Sequence, residues 1–113
     1  MKKFIVIYHA TNDAMKEMAS ASKEQQAKGM EEWMKWAQKC GNKLIDLGAP
    51  LMDGQALSPD GRSKSSQKGV NGYSILQAEN MKDAIALLKG HPHLAYNAEC
   101  SIEVHETMPV PGM

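Results

Sequence analysis

Two histidines flank a proline near the end of the chain, in His91-Pro92-His93. Histidine changes its protonation state near neutral pH, so either ring could act as a general base, and a His-x-His pair could bind a metal ion. Zinc needs three or four protein ligands, and no second pair of suitable spacing occurs. The structural alternative is that Pro92 ends a helix and the imidazoles cap carbonyls or lie at the surface. We predict His93 as a candidate base, His91 as a ligand-binding residue, and no metal.

A second set of polar residues lies in two of the predicted strands. Asp46 breaks the pattern at 43–49, and Glu103 and His105 share one face of the pattern at 100–105. Acid–base chemistry on a small molecule uses such groups, because burial can tune the pKa of a carboxyl or an imidazole toward neutrality. We predict His93 or His105 as the base, Asp46 as the carboxylate that orients it or as a second catalytic carboxylate, and Glu103 as a ligand-binding residue. The alternative is an edge strand with a solvated face and an outward-pointing Asp46.

Aromatic side chains could complete a small-molecule pocket. Tyr8 and Tyr73 belong to two different strand patterns, and each phenol could donate a hydrogen bond to a ligand. Trp33 lies on the apolar face predicted for a long helix, whereas Trp36 lies off that face. Trp36 could therefore stack on a ligand, or it could pack under a neighbouring loop. We predict Tyr8, Tyr73 and Trp36 as ligand-binding residues.

Four segments have the apolar, β-branched composition of strands: 3–8, 43–49, 70–78 and 100–105. The first has no polar alternation, which predicts a central strand covered on both faces. Asp53-Gly54 predicts a turn after the second strand, with a short return at 55–57. The stretch 58–69 is polar apart from a proline and two glycines, which predicts a solvated loop. An alternative is a lid whose basic side chains clamp an anionic ligand.

Capping residues predict where three helices begin. Thr11 precedes a short helix at about 12–19, and Asn80 precedes one that Gly90 and Pro92 end. Ser22 and Gln25 form the pattern of a capping box in front of a long helix. This helix ends at Cys40–Gly41, and its predicted buried face comprises Ala27, Met30, Trp33, Met34, Ala37 and Cys40.

The order β-α-β-β-α-β predicts an α+β, ferredoxin-like domain spanning 1–113, with an antiparallel sheet and both helices on one face. The first strand would be central, and its second face needs a cover that one short chain does not supply. This favours a homodimer that packs through the open sheet face. The pocket is expected between that face, the turn at 91–93 and the loop at 58–69.

Composition excludes several classes of partner. Thirteen basic and thirteen acidic residues give a formal net charge of zero, so no global charge favours nucleic acid or an anionic membrane. The apolar run at 4–8 is too short to cross a bilayer, and no cleavage site follows it. Two cysteines make no disulfide framework. We therefore expect a cytoplasmic protein that uses no cofactor.

Three short segments carry a resemblance to a known family. They are Gly48-Ala49-Pro50 after the second strand, 69–73 (Gly-Val-Asn-Gly-Tyr) at the third, and His91-Pro92 after the last helix. With the order of elements, they resemble the YCII-related family, a branch of the dimeric α/β-barrel superfamily. The resemblance covers nearly the whole chain and implies the ferredoxin-like fold and a homodimer.

The chain also departs from the family pattern. It is similar to the neighbouring DGPF subgroup at Asp60-Gly61, where Arg62-Ser63 replaces Pro-Phe, and His91-Pro92 stands where the family has Asp-Pro. Glu32 lies near the position of a family histidine that has been proposed to work with an aspartate. The helix has no histidine, so the chain lacks the residue for that family pairing. The candidate bases His93 and His105, with Asp46, instead predict cofactor-independent acid–base chemistry on a small polar metabolite. The alternative is a non-catalytic protein that binds a ligand or serves an accessory role.

Overall fold

The computed structural model describes residues 1–112, which form six strands and four helices. The strands are β1 (Lys2–Ala10), β2 (Leu44–Pro50), β3 (Gln55–Leu57), β4 (Ser63–Ser65), β5 (Val70–Ala78) and β6 (Cys100–Glu106). The helices are α1 (Asn12–Ala19), α2 (Lys23–Cys40), α3 (Met81–Leu88) and α4 (Pro92–Tyr96), and a 3-10 turn at Gly41–Lys43 follows α2.

Four strands form one antiparallel sheet in the order β2-β5-β1-β6. This is the strand order of a ferredoxin-like fold, so the predicted α+β class and topology are confirmed. β1 is central, as its uninterrupted apolar run predicts, and β6 is an edge strand. No helix among residues 1–112 is long and apolar enough to cross a membrane.

The two faces of the sheet differ in composition. On the helix side, Phe4, Val6 and Tyr8 of β1 are buried with Leu76 of β5, and the helices pack over them. On the open side, strand pairing aligns side chains in rows that cross the sheet. In each row the central residues are apolar or aromatic, and at least one residue at the edge of the sheet is polar. The first row runs across the sheet through His105, Ile5, Ile75 and Asp46, and the second row through Glu103, Ile7, Tyr73 and Ala49.

The predicted helix starts are confirmed by their hydrogen bonds. The Ala14 amide donates to the Thr11 hydroxyl, and the Asp83 amide donates to the Asn80 side chain. At α2 the capping box is complete, because the Gln25 amide donates to the Ser22 hydroxyl and the Ser22 amide donates to the Gln25 side chain. Each cap satisfies an amide that has no partner within the helix.

The buried face of α2 differs from the predicted one. Trp36 is buried, and its indole Nε1–H donates to the Leu87 carbonyl at 2.9 Å. Met30 and Met34, predicted to be buried, are 57% and 45% exposed. The reason is that the first half of α2, 23–32, is exposed throughout and has little to pack against. Periodicity predicts which residues share a helix face, but only tertiary packing decides which face is covered.

Two short elements depart from the predictions for loops. The polar stretch 58–69 is not wholly a loop, because β4 pairs with β3 and forms a two-stranded hairpin separate from the main sheet. Pro92 does not end α3. It is the first residue of α4, where its missing N–H leaves no hydrogen bond unmade, and His91 is the N-cap.

Candidate functional site

A cavity of about 1140 Å³ opens on the helix side of the sheet, and we call it the α2 cleft. One wall is α2, from Gln25 to Lys39, and the opposite wall is α4 with the ends of β2 and β5. The cleft therefore lies at a place different from the expected one. The loop at 58–69 does not line it, and the open sheet face turns away from it.

Four aromatic rings pack together at the base of the α2 cleft. The Trp33 ring meets Tyr8 edge to face, with centroids 5.0 Å apart, and meets His91 at 4.5 Å. Trp36 contacts the same imidazole at 4.3 Å. Tyr8 and both tryptophans line the cavity, whereas His91 is fully buried behind them. Edge-to-face packing of this kind holds the rings in fixed orientations.

A chain of hydrogen bonds fixes the protons of these groups. The His93 amide donates to His91 Nδ1 at 2.9 Å, so the neutral ring carries its proton on Nε2, which lies 3.2 Å from the Tyr8 hydroxyl. The Tyr8 hydroxyl is 2.8 Å from Ser74 Oγ, and Ser74 donates to the Leu47 carbonyl at 2.6 Å. Because the serine proton is committed to Leu47, Tyr8 donates to Ser74 and accepts from His91.

Burial keeps two members of this chain neutral. It lowers the pKa of His91 to about 3, with a smaller contribution from the neighbouring His93. It also raises the pKa of Tyr8 to about 12, against the Ser74 hydrogen bond, which lowers it. Since neither group titrates near pH 7, His91 and Tyr8 form a rigid polar support for the cleft.

His93 is a buried imidazole that lines the cleft itself, and it is 5% exposed. Its Nε2 lies 2.8 Å from the His9 carbonyl and donates to it, which leaves the lone pair of the neutral ring on Nδ1. Burial lowers the pKa of His93, against the carbonyls of His9 and Ser101, which raise it. The ring is therefore neutral at pH 7, and a backbone carbonyl orients it.

The predicted site residues fall on two sides of the sheet. Tyr8, Trp36, His91 and His93 gather at the α2 cleft, although His91 does not line it. Asp46, Glu103 and His105 lie on the open face and do not line the cleft. Tyr73 belongs to the open face as well, where its hydroxyl lies 3.5 Å from Asp46 Oδ2, although part of the residue also lines the cavity near the start of β5.

The open face holds a second polar cluster, centred on Glu103. His105 Nε2 lies 2.8 Å from Glu103 Oε1, and His9 Nε2 lies 3.9 Å from Oε2. The hydrogen bond from His105 lowers the pKa of Glu103, and the positive charges of neighbouring groups lower it further. Among residues 1–112, no group of three His, Cys, Asp or Glu side chains is arranged to hold a metal ion.

Within one chain the structure does not bring Asp46 to either predicted base. β2 and β6 are the opposite edges of the sheet, so Asp46 and His105 are separated by three strand spacings, roughly 14 Å. His93 lies on the other side of the sheet from Asp46. Asp46 is exposed, and its Oδ1 accepts from the Gly48 amide at 2.8 Å, which is a local turn contact.

Of the α2 residues that line the cleft, the sequence predicts Trp36 as a ligand-binding residue but does not single out Gly29 or Trp33. Gly29, Trp33 and Trp36 lie on its inner wall with Lys28, Lys35 and Lys39. The available signal is their spacing, because positions 29, 33 and 36 share one helix face. Of these three positions, only Trp33 belongs to the apolar face that the sequence predicts to be buried.

Comparison with solved structures shows a shared fold. The 5-chloro-2-hydroxyhydroquinone dehydrochlorinase TftG from Burkholderia phenoliruptrix AC1100, solved with 2,5-dihydroxybenzoquinone, superposes with a TM-score of 0.58. The match covers 94% of this chain and 93% of that one at 9% sequence identity. The chain thus shares the fold of this enzyme, which agrees with the ferredoxin-like topology of its sheet. No family model matches the sequence, and no curated protein matches it.

Proposed function

We propose that this protein is an enzyme that performs cofactor-independent acid–base chemistry on a small planar molecule bound in the α2 cleft. The observation that carries the proposal is His93, a buried neutral imidazole on the cavity wall with a fixed tautomer. TftG, which has the same fold, is a dehydrochlorinase solved with a small ring compound, which supports the class of ligand. The segment resemblance supports membership of the YCII-related family.

In the proposed mechanism, Nδ1 of His93 removes a proton from the bound substrate. The His9 carbonyl accepts the Nε2–H bond throughout, so it holds the ring in place and stabilises the imidazolium that forms. Trp33 supplies a flat apolar surface beside the reacting group. Tyr8 is held in place by its hydrogen bond to Ser74, and it fixes the orientation of Trp33 by packing against the indole. The imidazolium then returns its proton to the product at another position or to water.

A second candidate is a non-catalytic ligand-binding protein. The observation that favours it is that the polar groups beside the cleft already have hydrogen-bond partners within the protein. Both nitrogens of His91 and the hydroxyl proton of Tyr8 are in such hydrogen bonds. Such groups shape a cavity without reacting in it. The two candidates differ only in whether His93 exchanges a proton with the ligand.

The experiment begins with a thermal-shift screen of small metabolites, because a ligand at a hundredfold excess over its Kd stabilises the fold by about 2.7 kcal/mol. Stabilising ligands are then incubated in D₂O, and proton exchange and turnover are followed by NMR. We expect His93→Gln to lower kcat by about 10²-fold to 10⁴-fold while binding persists. Because burial lowers the pKa of His93, activity should persist at pH values below its ordinary pKa.

Two further variants separate the alternatives. Asp46→Asn and His105→Gln test the other predicted catalytic residues, on the open face. If these variants abolish turnover and His93→Gln does not, the chemistry belongs to the open face and the proposal is wrong. If all three variants bind the ligand and the wild type shows no turnover or exchange, the ligand-binding candidate replaces the enzyme.

We also propose that the protein is a homodimer that packs through the open sheet face. Ile5, Ile7 and Ile75 form a continuous apolar strip at the centre of that face, and they are only half-buried in one chain. Charged residues at the two edges of the sheet flank the strip. An apolar centre with a polar rim is the usual composition of a protein interface.

A further inference from the structure

The α2 cleft has an excess of positive charge at its mouth, although the whole chain is formally neutral. Three lysines of α2 and one that follows α3 line the cavity: Lys28, Lys35, Lys39 and Lys89. Among the described residues, 1–112, two carboxylates line it, those of Glu17 and Glu32. We propose that the cleft is selective for aromatic carboxylates, meaning a planar ring with one anionic group. This inference rests on the proposed function, because it names the substrate class of the same cavity.

Both carboxylates of the cleft already have partners. Glu32 Oε1 lies 3.5 Å from the Lys35 ammonium, and Glu17 Oε2 accepts from the Asn97 side chain at 2.9 Å. Within residues 1–112, Lys28, Lys39 and Lys89 have no carboxylate within 4.0 Å. The net field at the mouth is therefore positive, and it favours an anionic ligand over a neutral one of the same shape.

The lysines of α2 share one side of the helix with the cleft. Positions 28, 35 and 39 are separated by seven and four residues, which places them within a narrow stripe. Lys35 in this stripe is paired with Glu32, so Lys28 and Lys39 remain for a ligand. Long flexible side chains of this kind can reach toward an anion at the rim while their stems line the cavity.

The aromatic part of the ligand is inferred from Trp33 and Gly29. Trp33 is half-buried at the base, and its orientation is fixed by Tyr8 and His91. Gly29 lies one turn earlier on the same helix and also lines the cleft. A Cβ at this glycine would meet no atom within 4 Å, so the cleft is open at this position, one turn from Trp33. A flat ring fits against Trp33 in this space, with its anionic group directed to the lysines.

The test compares two ring compounds of nearly equal shape, benzoate and benzamide, by titration of tryptophan fluorescence. The chain has two tryptophans, and both line the cleft, so the signal reports on this site. We expect benzoate to bind more tightly than benzamide, and we expect added salt to weaken only the benzoate complex because it screens the lysines.

Charge-removal variants identify the groups responsible. The double variant Lys28→Gln/Lys39→Gln should bind benzoate about twofold to tenfold more weakly and leave benzamide binding unchanged. Lys82→Gln, an exposed lysine of α3 that does not line the cleft, is the matched control and should change neither. All three substituted lysines are exposed, so these variants keep the fold.

The other outcomes overturn the inference in distinguishable ways. If benzamide binds as tightly as benzoate, or if the double variant binds benzoate as the wild type does, the charge selectivity is wrong while the cleft and the role of His93 stand. If neither compound changes the fluorescence, the cleft is not a site for planar rings, and the proposed function fails with the inference.

Discussion

At the scale of single residues, the clearest feature is the fully buried imidazole of His91. A buried polar group is costly unless it is hydrogen-bonded, and both of its nitrogens have partners. The two tryptophans pack against the ring and keep water away. His91 is therefore a structural residue that stays neutral, and this has a measurable effect on stability.

We predict that His91 makes the protein lose stability as the pH falls. The folded pKa, about 3, lies below the ordinary value of 6.5, so the unfolded chain binds a proton first. Stability from this group is complete above pH 6.5 and is lost as the pH falls toward 3, by about 2 kcal/mol between pH 8 and pH 5. The variant His91→Asn removes the titrating group, so its free energy of unfolding does not change with pH in this way. The difference in free energy of unfolding between wild type and variant should be largest at pH 8 and smaller by about 2 kcal/mol at pH 5.

The measurement is urea unfolding of both proteins across this pH range. His105→Asn is the matched control, because that imidazole is exposed on β6. A deficit for His91→Asn that stays constant from pH 8 to pH 5 would show that the ring is not held neutral in the folded state.

At the scale of elements, two glycines have opposite roles. Gly48 has φ +82°, and a Cβ there would lie 1.7 Å from the Tyr73 carbonyl oxygen, so only glycine allows β2 to approach β5 at this irregular register. Gly29 lies in an exposed part of α2, has no neighbour within 4 Å, and lowers helix stability. The first glycine serves the fold, and the second leaves space in the α2 cleft.

We predict that Gly29→Ala stabilises the protein by about 0.5–1 kcal/mol, because alanine loses less backbone entropy in a helix. The free energy of unfolding in urea measures the effect. The same methyl group enters the space beside Trp33, so benzoate should bind more weakly to the more stable variant. A variant with reduced stability would mean that α2 is less exposed at this point than the structure shows.

The corresponding change at Gly48 should have the opposite effect. Gly48→Ala combines an unfavourable φ with a collision against backbone, which cannot move aside as a side chain can. We expect a loss of more than about 3 kcal/mol, seen as a large fall in Tm or as failure to fold. Wild-type stability in this variant would contradict the observed contact between β2 and β5.

At the scale of the whole molecule, the open sheet face and the α2 cleft are separate surfaces. The sheet divides them, and β1 contributes alternate residues to each, with Tyr8 at the cleft and Ile7 on the open face. The helices α2 and α4, which form the walls of the cleft, lie on the other side of the sheet from the open face. Dimerisation and ligand binding can therefore be tested independently.

We predict that Ile7→Lys converts the proposed dimer to a monomer, because it places a charge from each copy near the centre of the shared face. Light scattering measures the mass in solution. Leu57→Lys is the control, since Leu57 is an exposed apolar residue of the separate two-stranded sheet formed by β3 and β4. A wild-type protein that is monomeric, or an Ile7→Lys protein that is still dimeric, would contradict the proposed interface.

Much of the architecture could be predicted from the sequence because it depends on local chemistry. Ser22 and Gln25 satisfy each other's amides within one helical turn, and the uninterrupted apolar run of β1 suits only a central strand. Such signals are carried by neighbouring residues, so the α+β class and the order of the four main strands follow from them.

Tertiary structure alone decided how the candidate site is divided. Strand alternation shows that Glu103 and His105 share a face, but it does not show that His93 lies on the opposite side of the sheet from Asp46. The burial of Trp36 and the exposure of Met30 likewise depend on where α2 extends beyond the sheet. The physical reason is that a helix or strand pattern defines relative directions within an element, whereas contacts between distant elements decide which direction is covered.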